Sequence, residues 1–263
     1  MTDCNTKQII FSSLGRKKVQ ADFNGGNITS DAGALLLREA DKRLKLTETL
    51  ADCFEDQRDP NKIDHSILEM LRQRVYAIAL GYEDLNDHNA LRTDPLFKLL
   101  SESKDNLASS PTLCRFENSA ARKTLVKMSR VFVENFIASF DKPPEEIVLD
   151  FDATDDEVHG TQEGRFFHGY YDCYCFLPLY VFCGDRLLVA YLRPSNIDAA
   201  KHSWAILSLL VKRFREVWPN VRIIVRGDSG FCRWRTMRWC EMKKVEYCFG
   251  LARNPVLERL TRR

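Results

Sequence analysis

The chain has 263 residues, 44% of them hydrophobic and 29% charged, with 16 Phe, which is material for a packed core and argues against a disordered chain. No apolar run approaches the roughly 20 residues needed to cross a bilayer, and the N-terminus lacks a basic patch followed by an apolar stretch, so neither a transmembrane protein nor a signal peptide is expected, and a cytoplasmic location is. The net charge of +2 hides an asymmetry: residues 221–263 hold 11 basic against four acidic side chains, a net +7, which leaves −5 on the first 220. A basic segment of this density suits a polyanion such as nucleic acid, with a solvated helix face as the plainer reading.

Gln8–Phe11 and Lys18–Phe23 read as a short hairpin around Gly15, broken off by Asn24-Gly-Gly-Asn27. Ser30 or Asp31 is expected to cap a helix through Leu35, Leu36 and Ala40 to about Leu46. A stronger helix follows Asp64, where Ile63, Ile67, Leu71, Val75 and Ile78 recur at helical spacing and Gly81 ends the run. Shorter pieces cover Asp94–Leu100 and Thr112–Glu117. A long helix covers Ala120–Phe140, with Leu125, Met128, Phe132 and Phe136 on one face. Asp141-Lys-Pro-Pro144 stops it, so residues 1–142 are expected to form a mainly helical domain.

Beyond that boundary the period changes. Glu146–Asp152 reads as a β-branched-rich strand and Tyr170–Cys183 as a long aromatic one. Gly184-Asp185 is a two-residue turn from which Arg186–Arg193 returns. Asn196 or Asp198 is expected to cap a helix through Trp204, Leu207, Leu210, Val211 and Phe214, ended by Trp218-Pro219. Val221–Arg226, continuous in β-branched residues, is expected to be buried on both faces. A helix over Arg233–Lys243 and a strand over Val245–Leu251 follow. The order β-β-β-α-β-α-β predicts an α/β fold with a mixed sheet: an antiparallel meander, then crossovers into parallel strands.

In such an order the first and fourth strands are neighbours, and each ends in a carboxylate, Asp152 and Asp228. Ligand sites gather at the carboxyl ends of the strands in α/β sheets. Two converging carboxylates make a hard oxygen site suited to Mg²⁺ or Mn²⁺, and Asp150, on the same strand face as Asp152, is a spare ligand. Asp also caps turns after strands, and spacing alone leaves both readings open. His168, Tyr170 and Tyr171 open the second strand, to position DNA or to pack at its edge. Arg226 suits a phosphate contact or an ion pair. Arg233, Arg235 and Arg238, interleaved with Trp234 and Trp239, suit backbone contacts and base stacking, or an ordinary amphipathic helix. The nine cysteines, odd in number and irregular in spacing, point to reduced thiols. His168, Cys173, Cys175 and Cys183 form a zinc alternative that no C-x-x-C pair supports.

Several runs, in order, carry a family resemblance. Leu149-Asp-Phe-Asp-Ala-Thr-Asp-Asp156, His159-Gly-Thr-Gln-Glu-Gly-Arg165, His168-Gly-Tyr-Tyr-Asp-Cys-Tyr-Cys175, Leu192-Arg-Pro-Ser-Asn-Ile-Asp198, Arg226-Gly-Asp-Ser-Gly-Phe231 and Ala252-Arg-Asn-Pro255 are the main ones. They resemble insertion-sequence DDE transposases, and most closely the group-one DDE domain of the IS-thirteen-eighty kind. In the helical part, Asn27-Ile-Thr-Ser-Asp-Ala-Gly33 and Ser110-Pro-Thr-Leu-Cys-Arg-Phe-Glu-Asn118 extend the likeness over nearly the whole chain. The resemblance implies an RNase H-like catalytic domain that cuts and joins double-stranded DNA at element ends with Mg²⁺ or Mn²⁺. Asp152 would be the first metal-binding acid and Asp228 the second. It also implies a third acid, a Glu on a helix well beyond the fifth strand. Glu258 follows that strand too closely to be this residue, so the chain reads as the N-terminal portion of a transposase.

On this reading residues 1–142 bind DNA ends, residues 143–263 are a catalytic domain cut before its third acid, and the chain alone joins little or no DNA. Its sheet is expected to expose apolar surface where a last helix would lie. The partners implied are DNA and a homodimer or a mixed dimer with a full-length copy. The alternatives are a non-catalytic DNA-binding remnant that interferes with such a copy, and a two-carboxylate metal enzyme acting on another substrate.

Overall fold

The computed structural model describes residues 9–14, 16–21, 29 and 31–261. Gly15, the Asn24–Asn27 break and Ser30 lie outside these. The chain divides into two compact units, Met1–Leu125 and Val126–Arg263.

The first unit opens with an antiparallel hairpin of β1 (Ile9–Leu14) and β2 (Lys17–Ala21). Six helices follow: α1 (Ala34–Leu44), α2 (Leu46–Ala51), α3 (Ile67–Ala79), α4 (His88–Leu91), α5 (Pro95–Leu100) and α6 (Ser110–Asn118). Their ends follow side-chain chemistry. Ser66 caps α3: its hydroxyl accepts from the Glu69 amide at 3.1 Å, the Ser-x-x-Glu pattern of a capping box. Gly81, at φ +88°, lets the chain leave that helix in the left-handed region. Asp94 caps α5 by accepting from the Leu96 and Phe97 amides, with Pro95 preset at the first helical position. At α1 the expected Asp31 cap is absent. Gly33 holds that position without a side-chain bond, and the Asp31 carboxylate instead accepts the Tyr82 hydroxyl at 3.0 Å.

The buried face of α3 also departs from the expected stripe. Ile78 is exposed, whereas Arg72, Gln73 and Arg74 are buried beside Met70, Leu71, Tyr76 and Ala77. Hydrophobic spacing misses this because the polar side chains bring their own partners. Arg72 donates to Glu102 at 2.8 Å and reaches Glu48 and Thr47. Gln73 pairs with both backbone groups of Ala108. Arg74 donates to Glu117 at 2.6 Å and to the buried His88 ring at 3.0 Å. Buried polar groups persist where they find hydrogen-bond partners, and each of these three side chains does.

The helix α7 (Arg122–Ala138) crosses the division between the units. The units part inside it rather than at the Pro143-Pro144 break, because Val133 and Phe136 belong to the core of the second unit. Of its expected apolar face, Leu125 is exposed and Phe136 buried, with Val131 and Val133 buried in addition.

The second unit is built on a five-stranded mixed sheet in the order β10-β9-β3-β7-β8. The strands are β3 (Glu146–Ala153), β7 (Leu179–Cys183), β8 (Arg186–Tyr191), β9 (Arg222–Gly227) and β10 (Glu246–Phe249). Between β3 and β7 lie three further strands: β4 (Asp156–Glu157), β5 (Phe166–His168) and β6 (Cys173–Phe176). In the main sheet, β3 pairs antiparallel with β7 and parallel with β9, and β10 runs parallel to β9. Gly184, at φ +57°, makes the tight turn from β7 to β8.

Helices α8 (Ser203–Val217) and α9 (Trp234–Lys243) are the crossovers, and a short α10 (Pro255–Thr261) follows β10. His202 in the left-handed region, not Asn196 or Asp198, precedes α8. Ile147, Leu149, Phe151, Val181, Ile223 and Val225 form a core with Leu207, Leu210, Val211 and Phe214 of α8. The rings of Phe136, Phe214 and Trp218 close its end, with Phe214 stacked on Trp218 at 5.9 Å.

Two expectations change here. The aromatic run Tyr170–Cys183 is not one strand. It turns at Gly169–Asp172, with Asp172 at φ +56°, forms β6 within a separate three-stranded sheet ordered β4-β6-β5, and enters the main sheet only after Pro178. β9 is not buried on both faces either. Ile223 and Val225 are buried, Ile224 is half-buried, and Arg222 and Arg226 are exposed.

Residues on that second face carry a charge ladder. Arg222 binds Glu246 on one side and Glu146 on the other at 2.6 Å, and Arg226 binds Asp150. This face thus presents ion pairs among half-buried Val148, Tyr180 and Ile224.

Candidate active site

The parallel register of β3 and β9 matches Asp150 with Arg226 and Phe151 with Gly227. The next residue on each strand is an aspartate, so Asp152 and Asp228 leave the sheet side by side at its carboxyl edge. Both are exposed. Asp152 sits near the end of β3, pointing away from the core that its neighbour Phe151 enters, as the two-residue strand period requires.

Asp228 is held by its own loop: Oδ1 accepts the Gly230 amide at 2.8 Å. The turn-capping reading is therefore realised for Asp228, and its second oxygen makes no hydrogen bond among the described residues. The loop is gripped from behind by Gly250, whose amide donates to the Gly227 carbonyl at 3.0 Å. A methyl group on Gly250 would stand 2.9 Å from the Ser229 nitrogen and 3.2 Å from the Asp228 carbonyl carbon. Only glycine fits that approach. Sequence reading gave Gly250 no role, because its necessity comes from a contact across strands.

Tyr171 reports on the charge at this edge. Its hydroxyl donates to the Ala153 carbonyl at 3.3 Å. Burial first, and then the charges of Asp155, Tyr170, Asp152 and Asp228, push its phenol above the ordinary tyrosine value. Asp155 is thus a third acid of the neighbourhood that spacing overlooked, although it stands in the acidic run after Asp152. His168 ends β5, its ring 4.9 Å from that of Tyr171, and its Nδ1 is buried without a hydrogen-bond partner. Tyr170 is 85% exposed.

Asp150 gives both oxygens to Arg226, at 2.6 and 2.7 Å, and this pairing raises the arginine further above its ordinary value. Arg233 binds Asp198 at 2.6 Å. Burial opposes ionisation of Asp198, yet Arg233 and the Ala200 amide hold its carboxyl below the usual range. Arg235 lies over Trp204 at 4.4 Å and Arg238 over Trp234 at 5.0 Å. Trp234 is largely exposed, and Trp239 packs against the core. So part of the basic segment is spent in ion pairs, while Arg235 and Arg238 keep their guanidinium groups on aromatic faces, with no carboxylate partner among the described residues. Glu258 lies on the surface of α10.

Asp152 and Asp228 offer the hard oxygen donors that Mg²⁺ or Mn²⁺ prefers. Among the described residues no group of three or more His, Cys, Asp or Glu is placed to hold a metal ion, so the donors fit in kind and number two. The same finding removes the zinc alternative of His168, Cys173, Cys175 and Cys183: the register pairs Cys173 with His168 at the end of the small sheet, while Cys183 ends β7 in the main one.

The first unit holds a cleft of about 910 Å³, lined by Arg58, Lys62, Arg92, Arg115 and Lys123 among others. All of its lining residues belong to that unit.

The model of the transposase DDE domain, group 1, matches residues 11–263. The chain belongs to this family. Domains of the family use divalent metal ions and serve DNA transposition. No curated protein is similar enough to match. Among solved structures, a piggyBac transposase synaptic complex with hairpin DNA matches with 12% identity and a TM-score of 0.40, over 88% of this chain and 53% of that one. This member of the family thus spans about half the length of that transposase. No helix among the described residues of the transposase domain is long and apolar enough to cross a membrane.

Proposed function

We propose that the chain carries the catalytic core of an insertion-sequence transposase of the IS-thirteen-eighty kind, RNase H-like in topology, which cuts and joins double-stranded DNA at element ends. The observation that supports this reading most directly is the β3–β9 register, which sets two exposed aspartates side by side at the carboxyl edge of a mixed sheet. In this reading Asp152 and Asp228 hold Mg²⁺ or Mn²⁺. When bound, such an ion stabilises charge on phosphate oxygens undergoing displacement. Asp228 Oδ1 is oriented by Gly230, so the carboxylate meets the ion without first losing rotational freedom. Asp150 acts on Arg226, keeping its guanidinium on the same sheet face. Arg235 and Arg238 contact the DNA backbone, and His168 and Tyr170 flank the strand being cut. The helical unit binds element ends, and a second copy, identical or full-length, completes the assembly.

A single observation favours a second reading, a DNA-binding chain that interferes with a full-length copy: no third ligand joins Asp152 and Asp228 among the described residues. Losing one member of a catalytic set commonly removes orders of magnitude of rate. The deciding experiment incubates the full chain with supercoiled plasmid bearing the element ends and Mn²⁺. The catalytic reading expects slow nicking at the ends that disappears in Asp152→Asn and Asp228→Asn. The interference reading expects salt-sensitive end binding without nicking, together with reduced joining when the chain is added to the full-length enzyme. Nicking that survives both substitutions would sink the assignment of the two aspartates.

A further inference from the structure

The insertion between β3 and β7 is small, yet its aromatic side chains stand largely in solvent. Phe167 is 53%, Tyr174 50% and Tyr170 85% exposed. Phe167 and Tyr174 face each other across the β5–β6 pair, with ring centroids 5.6 Å apart and edge-to-face. The Arg165 guanidinium lies 4.5 Å above the Tyr174 ring and makes no ion pair among the described residues. Clustered exposed aromatic side chains of this kind mark interaction surfaces.

The insertion is also anchored beside the two aspartates. Tyr171, whose ring lies 5.0 Å from that of Tyr170, donates its hydroxyl to the carbonyl of Ala153, the residue after Asp152. The Phe166 carbonyl accepts the Ser195 hydroxyl at 2.8 Å, which ties β5 to the loop after β8. The aromatic surface is therefore pinned next to the carboxylate edge.

We infer that Phe167, Tyr170 and Tyr174, with Arg165, form a platform that stacks unpaired nucleotides of the DNA strand adjoining the phosphate that Asp152 and Asp228 act on. The inference rests on the DNA-processing reading above and extends it to the state of the DNA. A paired duplex buries its base faces and presents closely spaced phosphates, which call for several cations. This surface offers ring faces and one guanidinium, and its third strand, β4, is the acidic pair Asp156–Glu157. That combination suits splayed bases, whose π-faces stack on aromatic rings whatever their sequence, with arginine contributing both stacking and charge.

The test uses the full chain and two fluorescein-labelled probes: a fully paired duplex of two helical turns, and the same duplex with a short unpaired thymidine tail carrying one 2-aminopurine. The tailed probe is expected to bind about tenfold more tightly, with quenching of the 2-aminopurine, since one base–aromatic stack is worth roughly that factor. Tyr174→Ala and Phe167→Ala should each erase most of the preference while leaving paired-duplex affinity and the melting midpoint unchanged, and Tyr174→Phe should retain it.

Equal losses on both probes, or binding of both with no tail preference in the wild type, would overturn the platform and leave the transposase reading standing. Failure to bind either probe would remove both. If Tyr174→Ala instead converts a dimer to monomer in sedimentation without altering the preference, the surface is a protein interface and the inference is wrong.

Discussion

The two units differ in where their charged side chains lie, Arg193 being a buried exception in the second. The N-terminal unit buries Arg72, Gln73, Arg74, His88 and Asp41 and gives each a partner. The C-terminal unit fills its core with Leu, Val, Ile and Phe and leaves Asp152 and Asp228 in water at a strand edge. The difference teaches where chemistry and architecture part. A charge that is buried and fully bonded fixes how helices meet, and removing it costs stability. A carboxylate held exposed at a sheet edge contributes little to folding, and on the proposed reading removing it costs function.

The largest effect that would sharpen this contrast lies at the exposed pair. Asp152→Asn or Asp228→Asn should lower metal-dependent nicking by roughly a hundredfold or more while leaving the thermal midpoint unchanged or slightly higher, because two like charges no longer adjoin. A fall in midpoint as large as the fall in activity would break the contrast.

Arg193 is the buried counterpart inside the C-terminal unit. It is 1% exposed and donates to the Leu177, Ala199 and Lys201 carbonyls, and burial holds its guanidinium below the ordinary arginine value. Arg193→Ala should cost on the order of 3 kcal/mol in urea unfolding, since three carbonyls lose their donor.

A related test is set by pH. Burial, and then the Arg74 charge, depress His88 to about 4 from the ordinary 6.5. The unfolded chain therefore takes up the proton first as pH falls. The contribution of neutral His88 is fully present above about 6.5 and is lost progressively down to about 4, a change on the order of 3 kcal/mol. Denaturant midpoints across that window should fall with pH, and the His88 ring protons should show no NMR titration between pH 6 and 8.

Smaller still is the effect of Gly250→Ala. Displacing the Asp228 loop by a few tenths of an ångström should reduce nicking about tenfold, in keeping with the sensitivity of catalysis to sub-ångström placement, with a minor loss of stability. Smallest is Arg226→Gln. Its ion pair with Asp150 joins an exposed guanidinium to a half-buried carboxylate at the surface, and pairs so open to water contribute little to stability. The melting midpoint should not change, and any loss of DNA affinity would then report contact with phosphate.

Much of the site was legible because it rests on local patterns. A β-branched run that ends in aspartate marks a strand and its carboxyl edge, and two such runs in a β-β-β-α-β-α-β order become neighbours by the handedness of crossovers. The β3–β9 register has that arrangement. The separate three-stranded sheet was not legible. The aromatic alternation through Tyr170–Cys183 is equally consistent with one strand or two, and only the bend at Gly169–Asp172 and the pairing with β5 separate them.

The α3 stripe misled for a related reason. Spacing counts apolar side chains and cannot know that Glu102, Glu48 and Glu117, distant in sequence, arrive to neutralise buried arginines. In the basic segment, composition supplied the charge, but the partners of Arg222, Arg226 and Arg233 decide how much of it is free.

By itself the sequence determined most of the elements, the family and the placing of two aspartates at neighbouring strand ends, because strand periods and motif order are encoded within a few residues of one another. Tertiary structure alone decided that Gly250 must be glycine, that Asp150 belongs to Arg226, and that Tyr171 ties an aromatic insertion to the strand carrying Asp152. Each of those depends on atoms that meet only when strands far apart in the chain lie side by side, and no local pattern records such a meeting.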